Sequence, residues 1–202
     1  MVNQKSIDIA KERRTIYQLG KNISLSHEEV SELVKNTMLA SPTAFHSQTV
    51  RAVVLFGEYH DKLWDLTLER LRPEVPTEEA MKATSAKIAG FKAAAGTVLL
   101  FRDQAVVKQL EEQFTLYKDN FHDWAEQGLG GYQQLLWTAL RENNIGANLQ
   151  HYNPLIDEDV AKEFDIPANW DLRAQLVFGS IEGPDSGVKE FLPMEDTFKI
   201  FE

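Results

Sequence analysis

The sequence predicts one helix-rich domain built around a small central sheet. Short β-branched runs at "AVVLFG" (52–57), "GTVLLFRD" (96–103) and "RAQLVFGSIEG" (173–183) have the length and glycine punctuation of strands. Long stretches between them carry apolar residues at helical spacing. No repeat, low-complexity tract or linker longer than an ordinary loop divides the chain.

In order, "IDIAKERRTIYQLGKN" reads as a helix to about Tyr17 that breaks at Gly20. Ser26 and Glu29 form a capping box for a second helix, with Val30, Leu33, Val34 and Met38 on one face and Pro42 past its end. After the first strand, "HDKLWDLTLERL" is helical up to Pro73 and Pro76. Another helix spans Thr77 to about Ala95, and "GTVLLFRD" follows as a buried strand. Val106, Leu110, Phe114, Tyr117, Phe121 and Trp124 then recur at helical spacing from Ala105 to Trp124. "GLGG" separates that region from "YQQLLWTALRENNIG", a helix apolar around much of its circumference and therefore central. "ANLQHYNP" reads as a strand entering a loop, and Asp157 to Phe164 as a short acidic helix. The tail "PDSGVKEFLPMEDTFKIF" has no strong period.

With 43% apolar and 10% aromatic residues in 202, the chain has material for a sizeable core. A net charge of −10 argues against a nucleic-acid or anionic-membrane binder. Absence of cysteine excludes disulfides, thiolate nucleophiles and Cys-based metal sites. The opening lacks an apolar signal core and no run approaches a membrane span, so a cytoplasmic protein is the expectation.

Several motifs fail on inspection. "GPDSGVK" (183–189) has three residues between its glycines and Val188 before Lys189, which rules out a P-loop. "GLGG" follows no strand and is not a dinucleotide fingerprint. The five histidines show no paired metal-ligand spacing, and no G-x-S-x-G elbow occurs.

Three polar clusters remain. Arg13 and Arg14, followed by the Thr15 hydroxyl, make either a surface charge pair or a phosphate clamp, since arginine offers oxyanions a planar fork. "SPTAFHSQ" packs Ser41, Thr43, His46, Ser47 and Gln48 against a buried strand, as a helix cap and turn or as ligands for something polar. Lys189 stands alone in the irregular tail.

Taken in order, these clusters resemble the FMN-dependent nitroreductase family. "RRTIYQLG" is similar to its amino-terminal phosphate clamp, "SPTAFHSQTVRAVVLF" to its "PSxxNxQPWxFxV" segment, "LQHYNPLIDEDVAKEFDIP" to its flavin-edge loop, and "VKEFLP" to its basic tail. The short subgroup of fungal fatty-acid-repression-mutant proteins and bacterial oxidative-stress nitroreductases is the most similar. The resemblance implies an α+β fold over residues 1–202, a single FMN-binding domain with a mostly antiparallel sheet surrounded by helices. It also implies an intertwined homodimer with FMN at the subunit interface.

By position, Arg13, Arg14 and Lys189 would hold the FMN phosphate, with Thr15 near it or the ribityl chain. Ser41, Pro42 and Thr43 would approach the ring from the other subunit, with His46 where the family has Asn. Ser47 and Gln48 would meet the ribityl or ring edge, and Leu149, Gln150 and His151 the flavin face. NADPH or NADH would be the donor and a nitroaromatic or quinone the acceptor, walled by Phe114, Tyr117, Phe121 and Trp124. Those four are also ordinary core at helical spacing. Tyr17 and Phe191 replace basic residues of the family pattern, and Thr49, Val50 and Arg51 replace its Pro-Trp run. The alternatives are a flavin-holding redox or stress regulator without substantial turnover, and a flavin-free interaction protein that keeps only the fold.

Overall fold

A computed structural model describes residues 2–202. Strands β1 (Leu19–Gly20), β2 (Val50–Phe56), β3 (Gly96–Asp103), β4 (Ile145–Gln150) and β5 (Trp170–Ile181) form one antiparallel sheet. β5 is the hub, pairing with β1, β3 and β4, while β2 pairs with β3 on its far side. Every residue of β3 is buried, which explains its unbroken apolar run "TVLLF".

Helices α1 (Lys5–Glu12), α2 (His27–Ala40), α3 (Gly57–Leu71), α4 (Glu78–Lys92), α5 (Gln104–Gln113), α6 (Phe121–Glu142), α7 (Asp157–Glu163) and α8 (Met194–Thr197) complete the fold. Leu99 and Phe101 pack on one face with Leu63, Trp64, Ile88 and Phe91 from α3 and α4. Val98 and Leu100 pack on the other with Val30 and Val34 of α2 and Leu129, Tyr132, Leu136 and Leu140 of α6. The sheet is thus a filling between helical layers, the α+β architecture expected.

Leu172 and Ala174 are two residues apart yet lie in opposite core layers. The register shift between Leu100 and Phe101 explains this, because Arg173 is passed over where Leu100 pairs with Ala174 and Phe101 with Leu172. The capping box is present: Ser26 N–H donates to Glu29 Oε2 at 2.7 Å and Glu29 N–H to Ser26 Oγ at 3.2 Å.

Four element readings need correction. α1 ends at Glu12 rather than Tyr17, because Ile16 N–H leaves the helix to donate to Ala147 O of β4, at 3.0 Å. The helix expected from Ala105 to Trp124 breaks at Phe114 (φ −121°, ψ 65°), followed by a 3-10 turn over Thr115–Asn120. "GLGG" does not interrupt a helix; it lies inside α6. At Gly128 close packing offsets the poor helical propensity of glycine, since a Cβ there would stand 3.1 Å from Thr43 Cγ2. The tail also holds one short helix, α8. Among the described residues, no helix is long and apolar enough to cross a membrane.

Candidate active site

Backbone pairing brings the two ends of the described chain together. Thr15 bridges to Ala147 of β4, Ile16 bridges to Asp185, and Ser186 N–H donates to Thr15 O at 3.0 Å. Arg14 and Lys189 therefore line one open cavity of about 540 Å³ with Lys11, Asp185, Gly187, Val188 and Phe191. Arg14 donates to the Gly187 carbonyl and pairs with Asp185 at 3.2 Å, so the acid holds the guanidinium beside the cavity. Lys11 and Lys189 are exposed. An anion entering here meets three cations and one carboxylate.

Arg13 is not brought into that cavity. Its guanidinium lies 4.5 Å from the Trp137 ring centroid, a cation–π contact with α6. Burial first, then the neighbouring charge of Arg14, lowers its pKa from the ordinary value. The Nε atoms of Arg13 and Arg14 are both buried without a hydrogen-bond partner. Such orphaned donors suit a site that gains an acceptor when a ligand binds.

The segment 41–48 folds back on α6. Phe45, His46 and Gln48 all have left-handed backbone, with φ of 57°, 50° and 51°. For residues with a Cβ this costs on the order of 1–3 kcal/mol each, and such strain concentrates at functional sites. Thr43 organises the turn: its carbonyl accepts from His46 N–H at 2.9 Å and its Oγ1 from Gln48 N–H at 3.0 Å. Ser41 Oγ donates to Thr37 O at 2.8 Å as a helix end. Ser41 and Thr43 are thus satisfied locally, the plain cap-and-turn role. Ser41, Thr43, His46 and Gln48 also line a cavity of about 240 Å³ with Met38, Leu39, Val50 and Arg51. Pro42 is exposed and Ser47 half-buried beside them.

Arg51 fastens this turn to the sheet. Its Nη1 donates to Gln48 O (2.6 Å) and Val50 O (2.9 Å), and its Nη2 to buried Asp103 (2.7 Å). Asp103 in turn caps α5 through Ala105 N–H at 3.0 Å and accepts from Asn169 at 2.7 Å.

At the end of β4, Gln150 is buried and its amide donates to Asn148 Oδ1 at 2.8 Å. Asn148 donates to Ile16 O at 2.9 Å, which locks the arginine segment against the strand. Leu149 is half-buried and His151 exposed.

Phe114, Tyr117, Phe121 and Trp124 do come together, but around a ring the sequence reading passed over. Phe45 sits 4.9 Å from Phe114, 6.0 Å from Tyr117, 5.3 Å from Phe121 and 5.9 Å from Trp124, centroid to centroid.

The family profile of the Nitroreductase family matches residues 10–180. The chain belongs to the Nitroreductase family. It is an oxidoreductase enzyme of nitroreductase type. Nitroreductase FRM2 of Saccharomyces cerevisiae is 34% identical over 188 residues, 92% of this chain and 89% of that protein. Nitroreductase CinD from Lactococcus lactis, solved in complex with chloramphenicol, is 50% identical with a TM-score of 0.88. That alignment covers 98% of this chain and 100% of CinD. The CinD complex with nicotinic acid gives 54% identity over the same shares, with the same TM-score of 0.88.

Within this nitroreductase, sequence reasoning missed Phe45, Lys11, Trp137, Asp185 and the Arg51–Asp103 pair. Lys11 carried a signal, since it lies three residues before Arg14 in a basic stretch. Asp185 and Trp137 carried none, because only the chain crossing brings them to the arginines.

Proposed function

We propose that this chain is an FMN-dependent NAD(P)H oxidoreductase that reduces nitroaromatic, quinone or similar electron-poor acceptors in two half-reactions. The observation that carries the reading is the cavity where Lys11, Arg14 and Lys189 converge in a protein of net charge −10. Local gathering of cations against an acidic background is what a phosphate monoester requires. The orphaned Nε donors of Arg13 and Arg14 fit the same anion.

Arg14 and Lys189 would hold the FMN phosphate, with Arg13 joining from Trp137 and Thr15 beside them. The left-handed turn would offer His46 and Gln48, with Ser41, Pro42, Thr43 and Ser47, to the ring and ribityl edge. Leu149, Gln150 and His151 would lie along the flavin face. FMN, when bound, supplies the two-electron hydride chemistry between a nicotinamide donor and the acceptor. The side chains bind and orient; no acid–base residue is assigned, since protons reach an open site from solvent.

Chloramphenicol, present in the CinD structure, carries a nitroaryl ring, and nicotinic acid shares the ring of nicotinamide. Both support the acceptor and donor classes proposed here. A homodimer is supported by the tail, where Val188, Phe191, Leu192, Met194, Phe198, Ile200 and Phe201 are each more than half exposed. So many apolar side chains left in water on one segment imply a partner surface.

The deciding experiment is an absorbance spectrum of the purified protein, before and after anaerobic NADPH, then NADH. A flavin spectrum that bleaches with a nicotinamide and returns with a nitroaromatic or quinone is expected. A flavin indifferent to both nucleotides would replace this reading with the redox regulator. A protein colourless even after incubation with FMN would end it.

A further inference from the structure

Phe45 is held in a strained left-handed conformation (φ 57°, ψ 19°), yet half of its surface, 50%, faces solvent. A large apolar side chain placed so gains little from folding, so strain and exposure together ask for a role. Beneath it the rings are packed together. Phe121 is buried at 3% exposure and meets Phe45 edge-on at 65°, while Trp124 lies nearly parallel at 20°. Phe114 closes a third side at 4.9 Å. Its neighbours in the turn, His46 and Gln48, line the cavity of about 240 Å³ together with Met38, Leu39 and Val50. The four aromatics expected to wall the acceptor thus act as a buttress, and Phe45 is the ring they present.

We infer that Phe45 is a specificity-determining residue, an aromatic platform whose exposed face stacks against the electron-poor ring of the acceptor. This rests on the reductase reading above. An aromatic face carries negative charge density, and a nitro group withdraws density from its own ring. Face-to-face stacking is then attractive for a nitroarene and disfavoured for an electron-rich arene of the same shape. Phe45 therefore selects acceptors by ring electronics as well as by size. Packing of the ring against Phe114, Phe121 and Trp124 in advance leaves less side-chain entropy to lose when the acceptor docks.

The test uses the full chain loaded with oxidised FMN, with no turnover. Equilibrium dialysis gives dissociation constants for 4-nitrotoluene and for 4-methoxytoluene, its electron-rich counterpart. Phe45→Leu should weaken 4-nitrotoluene about three- to tenfold, the scale an aromatic pair adds beyond its buried area. Affinity for 4-methoxytoluene should change less than twofold, and Phe45→Tyr should restore the preference. Flavin content and dimer size, read by absorbance and light scattering, should match the wild type. A flavin-loaded Phe45→Leu that keeps the wild-type preference would overturn the platform. So would Phe45→Leu released as a monomer or stripped of flavin, either of which makes Phe45 an anchor. Failure of the underlying reading shows itself separately, as a wild-type protein that takes up no FMN.

Discussion

Arg13 and Arg14 are adjacent in sequence but hold different positions, one on Trp137 and one on Asp185. A phosphate at the cavity competes with Asp185 for Arg14, while Lys189 is free of such competition at its exposed position. Lys189→Ala and Arg13→Ala should each lower FMN affinity by roughly 1.5–3 kcal/mol, the value of a charge-assisted hydrogen bond. Fluorescence titration of apoprotein with FMN measures this, and unchanged binding in both variants removes the clamp. His46→Asn should keep the flavin and alter its turnover or potential; loss of flavin would show His46 to be a primary ligand. At this scale the sequence was legible where charge is conspicuous. Arg13 and Arg14 stood out as a pair in an acidic chain and Lys189 only through the family resemblance, whereas Phe45 was hidden inside a polar segment. Its meaning depends on α6, which meets it only after folding.

Helix caps and buried strands were readable because their physics is local. The Ser26–Glu29 box and the apolar β3 run needed no knowledge of the rest of the chain. What failed was non-local: α1 stops because β4 offers Ile16 a partner, and Gly128 stays inside α6 where Thr43 packs closely against it. The buried polar joint between α3, α4 and β3 gives a further expectation. Trp64 Nε1–H donates to Thr97 Oγ1 at 3.1 Å, and Thr97 Oγ1 lies 3.0 Å from His60 Nδ1. His60 Nε2 is 3.2 Å from the Phe91 carbonyl, which can only accept, so Nε2 carries the proton and Nδ1 receives the threonine hydroxyl. Burial is the main cause that lowers the His60 pKa from 6.5 to about 4.

Well above pH 6.5 His60 is neutral in both states and contributes no pH dependence. As pH falls from 6.5 towards 4, the unfolded chain binds a proton that the folded chain refuses, so stability is lost. The slope reaches about 1.4 kcal/mol per pH unit. Thermal unfolding of His60→Gln should show a lower midpoint at neutral pH and a shallower decline over that interval. An identical decline in both proteins would place the acid sensitivity elsewhere.

Across the whole molecule, the unburied apolar tail argues for assembly, against the self-repulsion of a net charge of −10. Deleting residues 188–202 should convert the proposed homodimer to a monomer and weaken flavin retention, since Lys189 leaves with the tail. Size-exclusion chromatography with light scattering checks the first, absorbance the second. A dimer that survives the deletion would place the interface on the helices instead.

The hub position of β5 has a consequence during synthesis. A ribosome makes this strand after every other strand of the sheet, yet β1, β3 and β4 all find their hydrogen bonds on it. Until residue 181 has emerged, the nascent chain holds at most the β2–β3 pair, with the all-apolar middle of β3 showing an open edge. Such late, distant pairing is slow and exposes the chain to aggregation. Chaperone dependence should therefore rise once β3 has emerged and fall only after β5 clears the tunnel and docks.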